Sequence, residues 1–200
     1  MTDKAHARAC LAECCRAAYL QKLVGGTGGN MSVRVGDEIY ITATGCRLGD
    51  VSPETLSVVL MDGTLKEGEP PSKEILLHLG IYRARPDVFA VVHLHPVNSI
   101  AASILAPDPD AAGGSEPMPA YSSGYRVKIP SCALVANFEP GSPELAAALV
   151  QASLRSNVIL MRNHGITTMA KDIKAALSLA EEAEQNAWLH VILKGQGALS

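Results

Sequence analysis

The sequence lacks two features that nucleic-acid-binding proteins usually carry. It has no basic tract, and its 17 Lys and Arg residues against 20 Asp and Glu residues give a formal net charge of −3. Aromatic residues make up only 4% of the chain, which leaves little material for base stacking. Both shortages argue against nucleic acid as a partner.

Long apolar runs are also missing. No stretch approaches the roughly 20 apolar residues that a membrane-spanning helix needs. The N-terminal residues Met1 to His6 contain no apolar signal core, so we expect a cytoplasmic protein without a membrane partner.

The cysteines do not form a disulfide pattern. There are five, an odd number, and Cys10, Cys14 and Cys15 cluster on one predicted helix. Cys10 and Cys14, four residues apart, could together bind a metal. A second ligand pair at zinc-finger spacing is missing, so we interpret them as small core residues.

The 200 residues, 48% of them hydrophobic, are enough for one domain over residues 1–200 with a substantial core. Gly36-Asp37 and Asp62-Gly63 are typical hairpin turns. We therefore predict an α/β protein of three layers, with a central, mostly antiparallel sheet covered by helices. The predicted helices cover 2–24, 75–82, 97–105, 142–154 and 172–193, and the predicted strands cover 32–35, 38–42, 56–61, 88–95, 157–161 and 166–169, with strand-like pieces up to 135 and a loop over 106–119. The last helix carries a polar face, interpreted as solvated, that includes Glu181, Glu184 and Gln185.

His93 and His95 stand at the end of an apolar, β-branched run that predicts a buried strand. Side chains alternate along a strand, so the two imidazoles would face the same way, and Pro96 ends the strand. His164 also closes an apolar strand, beside Gly165. Three imidazoles from two strand ends could hold a tetrahedral zinc with one open position, which is typical of catalytic zinc. Polar residues at a sheet edge are the simpler alternative.

Three short segments could receive an anion. Gly25 to Ser32 is rich in glycine, Thr42 to Gly45 forms a small hydroxyl-bearing loop, and Ser72 is a plausible N-cap with Lys73-Glu74 in the first helical turn. A simple helix-to-strand turn would explain the glycines equally well. His78, one helical turn after Glu74, is a rival ligand, but we interpret it as a histidine that packs in the core or supports a metal ligand from behind.

Taken together, these motifs resemble the class II aldolase/adducin family almost from end to end. The matching segments are Gly28 to Ser32, Ile41 to Gly45, Pro71 to Glu74, His93 to Pro96 and Asn163 to Gly165. The resemblance implies that His93, His95 and His164 bind Zn²⁺, or another divalent ion such as Mn²⁺ or Co²⁺, one per subunit. It also implies that Glu74 is the catalytic carboxylate and can touch the metal, and that the substrate phosphate is bound by Gly29, Asn30, Thr44, Gly45 and Ser72. Family members are commonly homotetramers with sites at subunit interfaces.

Two departures bear on the reaction. Ser72-Lys73-Glu74 stands where the fuculose-phosphate aldolases have Ser-Ser-Glu, and the chain ends at Ser200 without the tail that brings a tyrosine to that aldolase's site. Ser-Lys-Glu, Thr44 to Gly49 and Tyr125 to Val127 more closely resemble the 3-oxo-tetronate 4-phosphate decarboxylases. Lys73 could recognise the substrate carboxylate or could simply be exposed.

The resemblance therefore implies a zinc-dependent carbon–carbon lyase that acts on a phosphorylated sugar or sugar acid. Decarboxylation and retro-aldol cleavage both leave an electron pair beside a carbonyl, and the resulting enediolate could become dihydroxyacetone phosphate in either case. Zinc would stabilise that charge, and Glu74 would move the proton, with Tyr121 as the other candidate. The alternatives are an aldolase, a pentulose-phosphate 4-epimerase and a non-catalytic adducin-like scaffold.

Overall fold

One mixed sheet organises the computed structural model, which describes residues 3–108 and 116–197. Within these ranges the sheet has eight strands in the order β4-β3-β2-β1-β5-β8-β7-β6. Every neighbouring pair is antiparallel except β6 and β7, which run parallel. The strands are β1 (Asn30–Val35), β2 (Glu38–Thr42), β3 (Leu56–Leu60), β4 (Leu65–Glu67), β5 (Ala90–Leu94), β6 (Ala133–Val135), β7 (Val158–Met161) and β8 (Gly165–Ala170).

Six α-helices lie within the described ranges: α1 (Lys4–Leu20), α2 (Ile75–Ala84), α3 (Val97–Leu105), α4 (Ser123–Lys128), α5 (Pro143–Ser153) and α6 (Ile173–Gly195). The side chains of Asp3 and Ser142 cap α1 and α5, as their positions predict. Thr2, the first residue of the predicted helix 2–24, lies outside the described residues, as does the segment 109–115 within the predicted loop. None of the described helices combines the length and the apolar character that a membrane crossing requires.

The helices cover both faces of the sheet. Because side chains alternate along each strand, Met31 and Val92 point into one core with α1, α3, α4 and α6. Val91 and Met169 point into the other core, with α2 and α5. The predicted three-layer fold with a mostly antiparallel sheet is confirmed.

Three local predictions were wrong. Residues 126–128, predicted to be strand-like, belong to helix α4, because the Ser122 hydroxyl accepts a hydrogen bond from the amide of Tyr125 and caps a helical turn. Helix α1 ends at Leu20, before the glycines at 25 and 26. Glu184 is not on a solvated face: its carboxylate accepts hydrogen bonds from the backbone amides of Asn98 and Ser99 and so caps the start of α3.

Strand pairing brings the motifs together at one end of the central strands β1, β5 and β8. Asn30 at the start of β1 lies opposite His93 near the end of β5, and His93 lies opposite Thr167 in β8. The β7–β8 connection lies at the same end of the strands, because β8 runs antiparallel to β5.

Candidate metal centre and pocket

One cluster at this end of the strands contains Glu74, His93, His95 and His164. Each offers one ligand atom, and the four atoms lie within 4.8 Å of one another. The three imidazole rings have centroids 4.8 to 5.1 Å apart. Residues separated by as many as 90 positions therefore form one compact set of possible metal ligands. The described residues contain no second group of this kind.

Local backbone structure explains how the histidines reach the cluster. His93 belongs to β5, and His95 follows the last residue of that strand. His164 lies in the turn between β7 and β8, where Asn163 adopts a left-handed φ of 59° that asparagine tolerates better than most residues. A Cβ atom added to Gly165 would lie 2.2 Å from the Leu94 carbonyl oxygen, so only glycine fits beside β5 here.

Glu74 lies immediately before α2, at its N-cap position, with φ −93° and ψ 17°. The prediction that Lys73 and Glu74 form the first helical turn was wrong, because the helix begins at Ile75. Ser72 nevertheless orders this entry, since its hydroxyl accepts a hydrogen bond from the Glu74 amide at 3.2 Å.

The two carboxylate oxygens of Glu74 have different surroundings. Oε2 accepts a hydrogen bond from Asn30 Nδ2 at 2.8 Å and lies 3.1 Å from His93 Nε2. Oε1 is buried, lies 3.5 Å from His164 Nε2 and has no hydrogen-bond partner. One oxygen is thus held by the protein, and the other is left available.

The donor atoms are arranged so that they could share a cation. His93 Nδ1 donates to the Ile166 carbonyl oxygen at 3.1 Å, so in the neutral ring Nε2 carries a bare lone pair. His93 Nε2 lies 2.9 Å from His95 Nε2 and 3.1 Å from Glu74 Oε2. His164 Nδ1 and Glu74 Oε1 are buried without partners. Three imidazoles and a carboxylate arranged in this way fit a divalent metal such as zinc.

The protonation states favour the same interpretation. Burial lowers the pKa of His95 to about 3 and that of His164 to about 4, so both rings are neutral near pH 7. Burial alone would raise the pKa of Glu74. The proximity of His93 and the hydrogen bond from Asn30 outweigh burial, and the pKa of Glu74 falls well below its usual range. Neutral imidazoles and an ionised carboxylate are the forms that bind metals.

An open pocket of about 570 Å³ lies against the cluster. Its walls include the five residues of the predicted phosphate site together with Lys73, namely Gly29, Asn30, Thr44, Gly45 and Ser72. The backbone amides of Thr44 and Ser72 already donate to Pro70 and Thr42 carbonyls. Their hydroxyl groups are therefore the donors that these two residues have left for a ligand.

Asn30 and Lys73 differ in how they meet this pocket. The Asn30 side chain is 4% exposed and is bonded to Glu74 and His78, so it has one amide hydrogen left to give. Lys73 is exposed at the pocket and forms no ion pair with the described residues. It is a cation available for an anionic ligand.

Tyr121 does not line this pocket in the single chain. Its hydroxyl lies 2.8 Å from His190 Nδ1, and its amide donates to Asn186, both on α6. Three wall residues from the segment after β6, Asn137, Phe138 and Pro140, were missed by local sequence patterns. Only the approach of this loop to Glu74 and Lys73 in the fold places them there: a Cβ atom added to Gly141 would lie 3.1 Å from the Lys73 carbonyl oxygen.

The family described as "Class II Aldolase and Adducin N-terminal domain" matches residues 9–191. That match includes every residue of the cluster and of the pocket.

Individual proteins are similar over nearly the whole chain. A 3-oxo-tetronate 4-phosphate decarboxylase from Haemophilus influenzae is 35% identical, over 98% of this chain and 91% of the relative. An L-fuculose phosphate aldolase from Methanococcus maripaludis is also 35% identical, over 90% and 93%. The crystal structure of YgbL from Escherichia coli has a TM-score of 0.87 at 29% identity and covers 95% of this chain and 90% of that one.

Proposed function

We propose a function from the premise that this chain belongs to the class II aldolase and adducin family. The match over residues 9–191 and two curated relatives at 35% identity establish that membership, so the predicted resemblance is confirmed. Both relatives are lyases, and the chain is accordingly an enzyme of the lyase class. The substrate and the exact reaction are the subject of the proposal.

The protein is proposed to decarboxylate a 3-oxo-tetronate 4-phosphate to dihydroxyacetone phosphate. The observation that carries this is the cluster of three histidines and Glu74 opening onto a pocket whose wall also includes Lys73, a cation that forms no ion pair with the described residues. A β-keto acid phosphate brings two anionic ends to the site, whereas an aldolase substrate brings one. The Lys73 ammonium supplies a recognition group for the additional carboxylate.

His93, His95, His164 and Glu74 would hold the metal, which we propose to be zinc. When bound, the metal supplies Lewis acidity that withdraws electrons from the substrate carbonyl. The protein's own contribution is to fix the ligand geometry: His93 is oriented by the Ile166 carbonyl, and the neutral state of His95 and His164 keeps their lone pairs available.

Glu74 is proposed to move the proton. Loss of carbon dioxide leaves an electron pair beside the carbonyl, and a proton must be delivered to that carbon. Oε1 has no hydrogen-bond partner among the described residues and lies 3.5 Å from His164 Nε2, so it is the oxygen free to carry the proton. Because the carboxylate is ionised at rest, it would first take up a proton from water that enters the open pocket and would then deliver that proton to the carbon. Tyr121 is the second candidate and would have to be supplied by a neighbouring subunit, because in its own chain it contacts α6.

The glycine-rich turn and the hydroxyl groups of Thr44 and Ser72 are proposed to bind the phosphate, with Gly29, Gly45 and Asn30. A phosphate held there places the reacting carbon beside the cluster, which is catalysis by positioning. Asn30→Asp would bring a negative charge against the phosphate and should raise KM strongly. A mutant that handles the phosphorylated substrate as well as wild type would show that these loops serve another purpose.

Assembly is proposed to be a homotetramer. Apolar side chains remain exposed on α3 and α6, with Val97 74%, Ile104 52% and Trp188 53% accessible, and a second copy of the chain would cover them. Light scattering should give four times the chain mass of 21.0 kDa. A fully active monomer would contradict both the assembly and a role for Tyr121 across an interface.

Retro-aldol cleavage is the second candidate, because the aldolase relative is as similar as the decarboxylase. A 4-epimerase and a non-catalytic scaffold are the remaining alternatives, and the intact cluster argues against the scaffold. Four- and five-carbon keto acid phosphates and ketose phosphates should be screened for dihydroxyacetone phosphate, with carbon dioxide measured in parallel. Equal amounts of the two products would support decarboxylation, whereas an aldehyde without carbon dioxide would identify an aldolase.

Lys73→Met provides the matching residue test. Loss of a hydrogen bond to a charged group costs about 1.5–3 kcal/mol, so KM for the keto acid phosphate should rise roughly 10- to 100-fold. Lys171→Met, which removes an exposed lysine away from this pocket, is the control and should leave KM unchanged. Equal KM values for the two variants would remove Lys73 from the proposal.

A further inference from the structure

A chain of buried hydrogen bonds runs from Glu74 into the protein interior. Asn30 Oδ1 lies 2.6 Å from His78 Nε2, and His78 Nδ1 lies 2.7 Å from the Ser32 hydroxyl. The Ser32 hydroxyl in turn lies 2.7 Å from the Tyr82 hydroxyl. The exposed fractions of Ser32 and His78 are 0%, and that of Tyr82 is 1%.

The direction of each bond follows from its carboxylate end. Glu74 Oε2 can only accept, so Asn30 turns its NH₂ group toward it and its Oδ1 toward His78. His78 Nε2 must then carry the hydrogen. In the neutral ring Nδ1 accepts from the Ser32 hydroxyl, and the Ser32 oxygen can accept from Tyr82. This arrangement of hydrogens satisfies the chain from Glu74 to Ser32, and the single hydroxyl hydrogen of Tyr82 goes either to the Ser32 hydroxyl oxygen or to the Ser32 carbonyl oxygen.

The same geometry excludes proton conduction as its purpose. The chain ends at Tyr82, whose hydroxyl is also bonded to the Ser32 carbonyl at 3.1 Å, and Tyr82 is fully buried. An amide such as that of Asn30 does not release a proton at ordinary pH. Burial lowers the pKa of His78 to about 3, which agrees with a neutral ring. The side chains are therefore arranged to fix an orientation.

We infer that His78 is a positioning residue for Glu74, acting through the Asn30 amide. If His78 did not donate to Oδ1, the amide could rotate by half a turn and set an oxygen against the carboxylate. With His78 present, Oε2 is held and Oε1 stays free toward His164. This role deepens the proposed function and rests on it, since Oε1 is the proposed proton carrier.

Two nearly isosteric variants isolate the donated hydrogen bond. His78→Gln retains an N–H group that can reach Asn30, whereas His78→Met has similar volume and no donor. Both variants remove the imidazole. Their kcat is calculated per bound zinc, so that unfolded protein does not lower the value. Zinc affinity by chelator competition provides a readout that does not depend on substrate.

We expect His78→Gln to keep kcat and zinc affinity within a few-fold of wild type. His78→Met should lose roughly 10- to 100-fold in kcat, in zinc affinity or in both, which is the usual effect of removing an outer partner of a metal ligand. KM for the phosphorylated substrate should change less than kcat, because Asn30 is the only one of the five proposed phosphate-binding residues that His78 contacts by a described hydrogen bond. Equal kcat and zinc affinity in the two variants would overturn the inference and leave His78 as a packing residue.

The tautomer of His78 gives a test that needs neither variant. In wild-type protein labelled with ¹⁵N-histidine, His78 should show a protonated Nε2 and a bare Nδ1, and a bare Nε2 would overturn the inference. If the wild-type protein failed to turn over any keto acid or ketose phosphate, the proposed function would fail. The tautomer and the zinc affinities would still report on the positioning of Glu74.

Discussion

Gly165→Ala is the substitution whose effect can be worked out most directly from the structure. A Cβ atom at this position would lie 2.2 Å from the Leu94 carbonyl oxygen and 2.9 Å from His95 Cδ2. The Leu94 oxygen belongs to the backbone of β5 and cannot rotate away. Strands β5 and β8 would therefore have to separate locally by about 1 Å to restore an ordinary contact.

The cost falls on stability and on the site together. Overpacking of this kind lowers the free energy of unfolding by about 1–3 kcal/mol. For a chain of this size, that corresponds to a fall in Tm of roughly 2–12 °C. The displaced groups include His95 and the neighbouring His164, so zinc affinity should weaken. A displacement of about 1 Å at the reacting groups can cost a factor on the order of 10² in kcat.

Gly25→Ala is the matched control, because no atom lies within 4 Å of the added Cβ and Gly25 is not among the glycines with positive φ. Thermal unfolding of the metal-free proteins, followed by circular dichroism, measures the first effect, and chelator competition measures the second. Gly165→Ala with the Tm and zinc affinity of the Gly25→Ala control would show that the two strands accommodate a methyl group, and the steric reasoning would be refuted.

Three further predictions address the cluster. Glu74→Gln should lower kcat by a factor on the order of 10² to 10⁴, measured at known zinc content, whereas the control Glu144→Gln, at an exposed position of α5, should not. Near-wild-type turnover of Glu74→Gln at full zinc occupancy would assign the proton to another group. Purified protein should bind about one zinc or similar ion per chain, and His95→Ala should lose it; full occupancy in a variant lacking both His93 and His95 would disprove the site. The pKa of His78 falls from 6.5 in the unfolded state to about 3 in the folded state, so below pH 6.5 the unfolded state binds more protons than the folded state. The free energy of unfolding, measured in urea, should therefore decrease as the pH is lowered from 6.5 to 4, and it should decrease less steeply in His78→Gln. An equal slope in the two proteins would contradict this.

Local patterns in the sequence predicted the elements and the donor types. The alternation around His93 predicted a strand, the spacing from Val97 to Leu105 predicted a helix with those bounds, and Ser142-Pro143 marked a helix start. These predictions succeed because periodicity and capping depend on residues within one or two turns of each other. The motif combination also indicated the family, since its segments recur in a fixed order.

Contacts between distant segments were decided only by the tertiary structure. Glu184 looked like part of a solvated helix face, but the packing of α6 against α3 makes it a cap for Asn98 and Ser99. His78 was predicted either to pack in the core or to support a metal ligand, and its partners Asn30 and Ser32 lie 48 and 46 positions away. Sequence periodicity reports which face of an element is buried, whereas strand order and helix packing determine what that face meets. For this reason the sequence could name Glu74 and three histidines, while only the fold distinguished the held oxygen of that carboxylate from the free one.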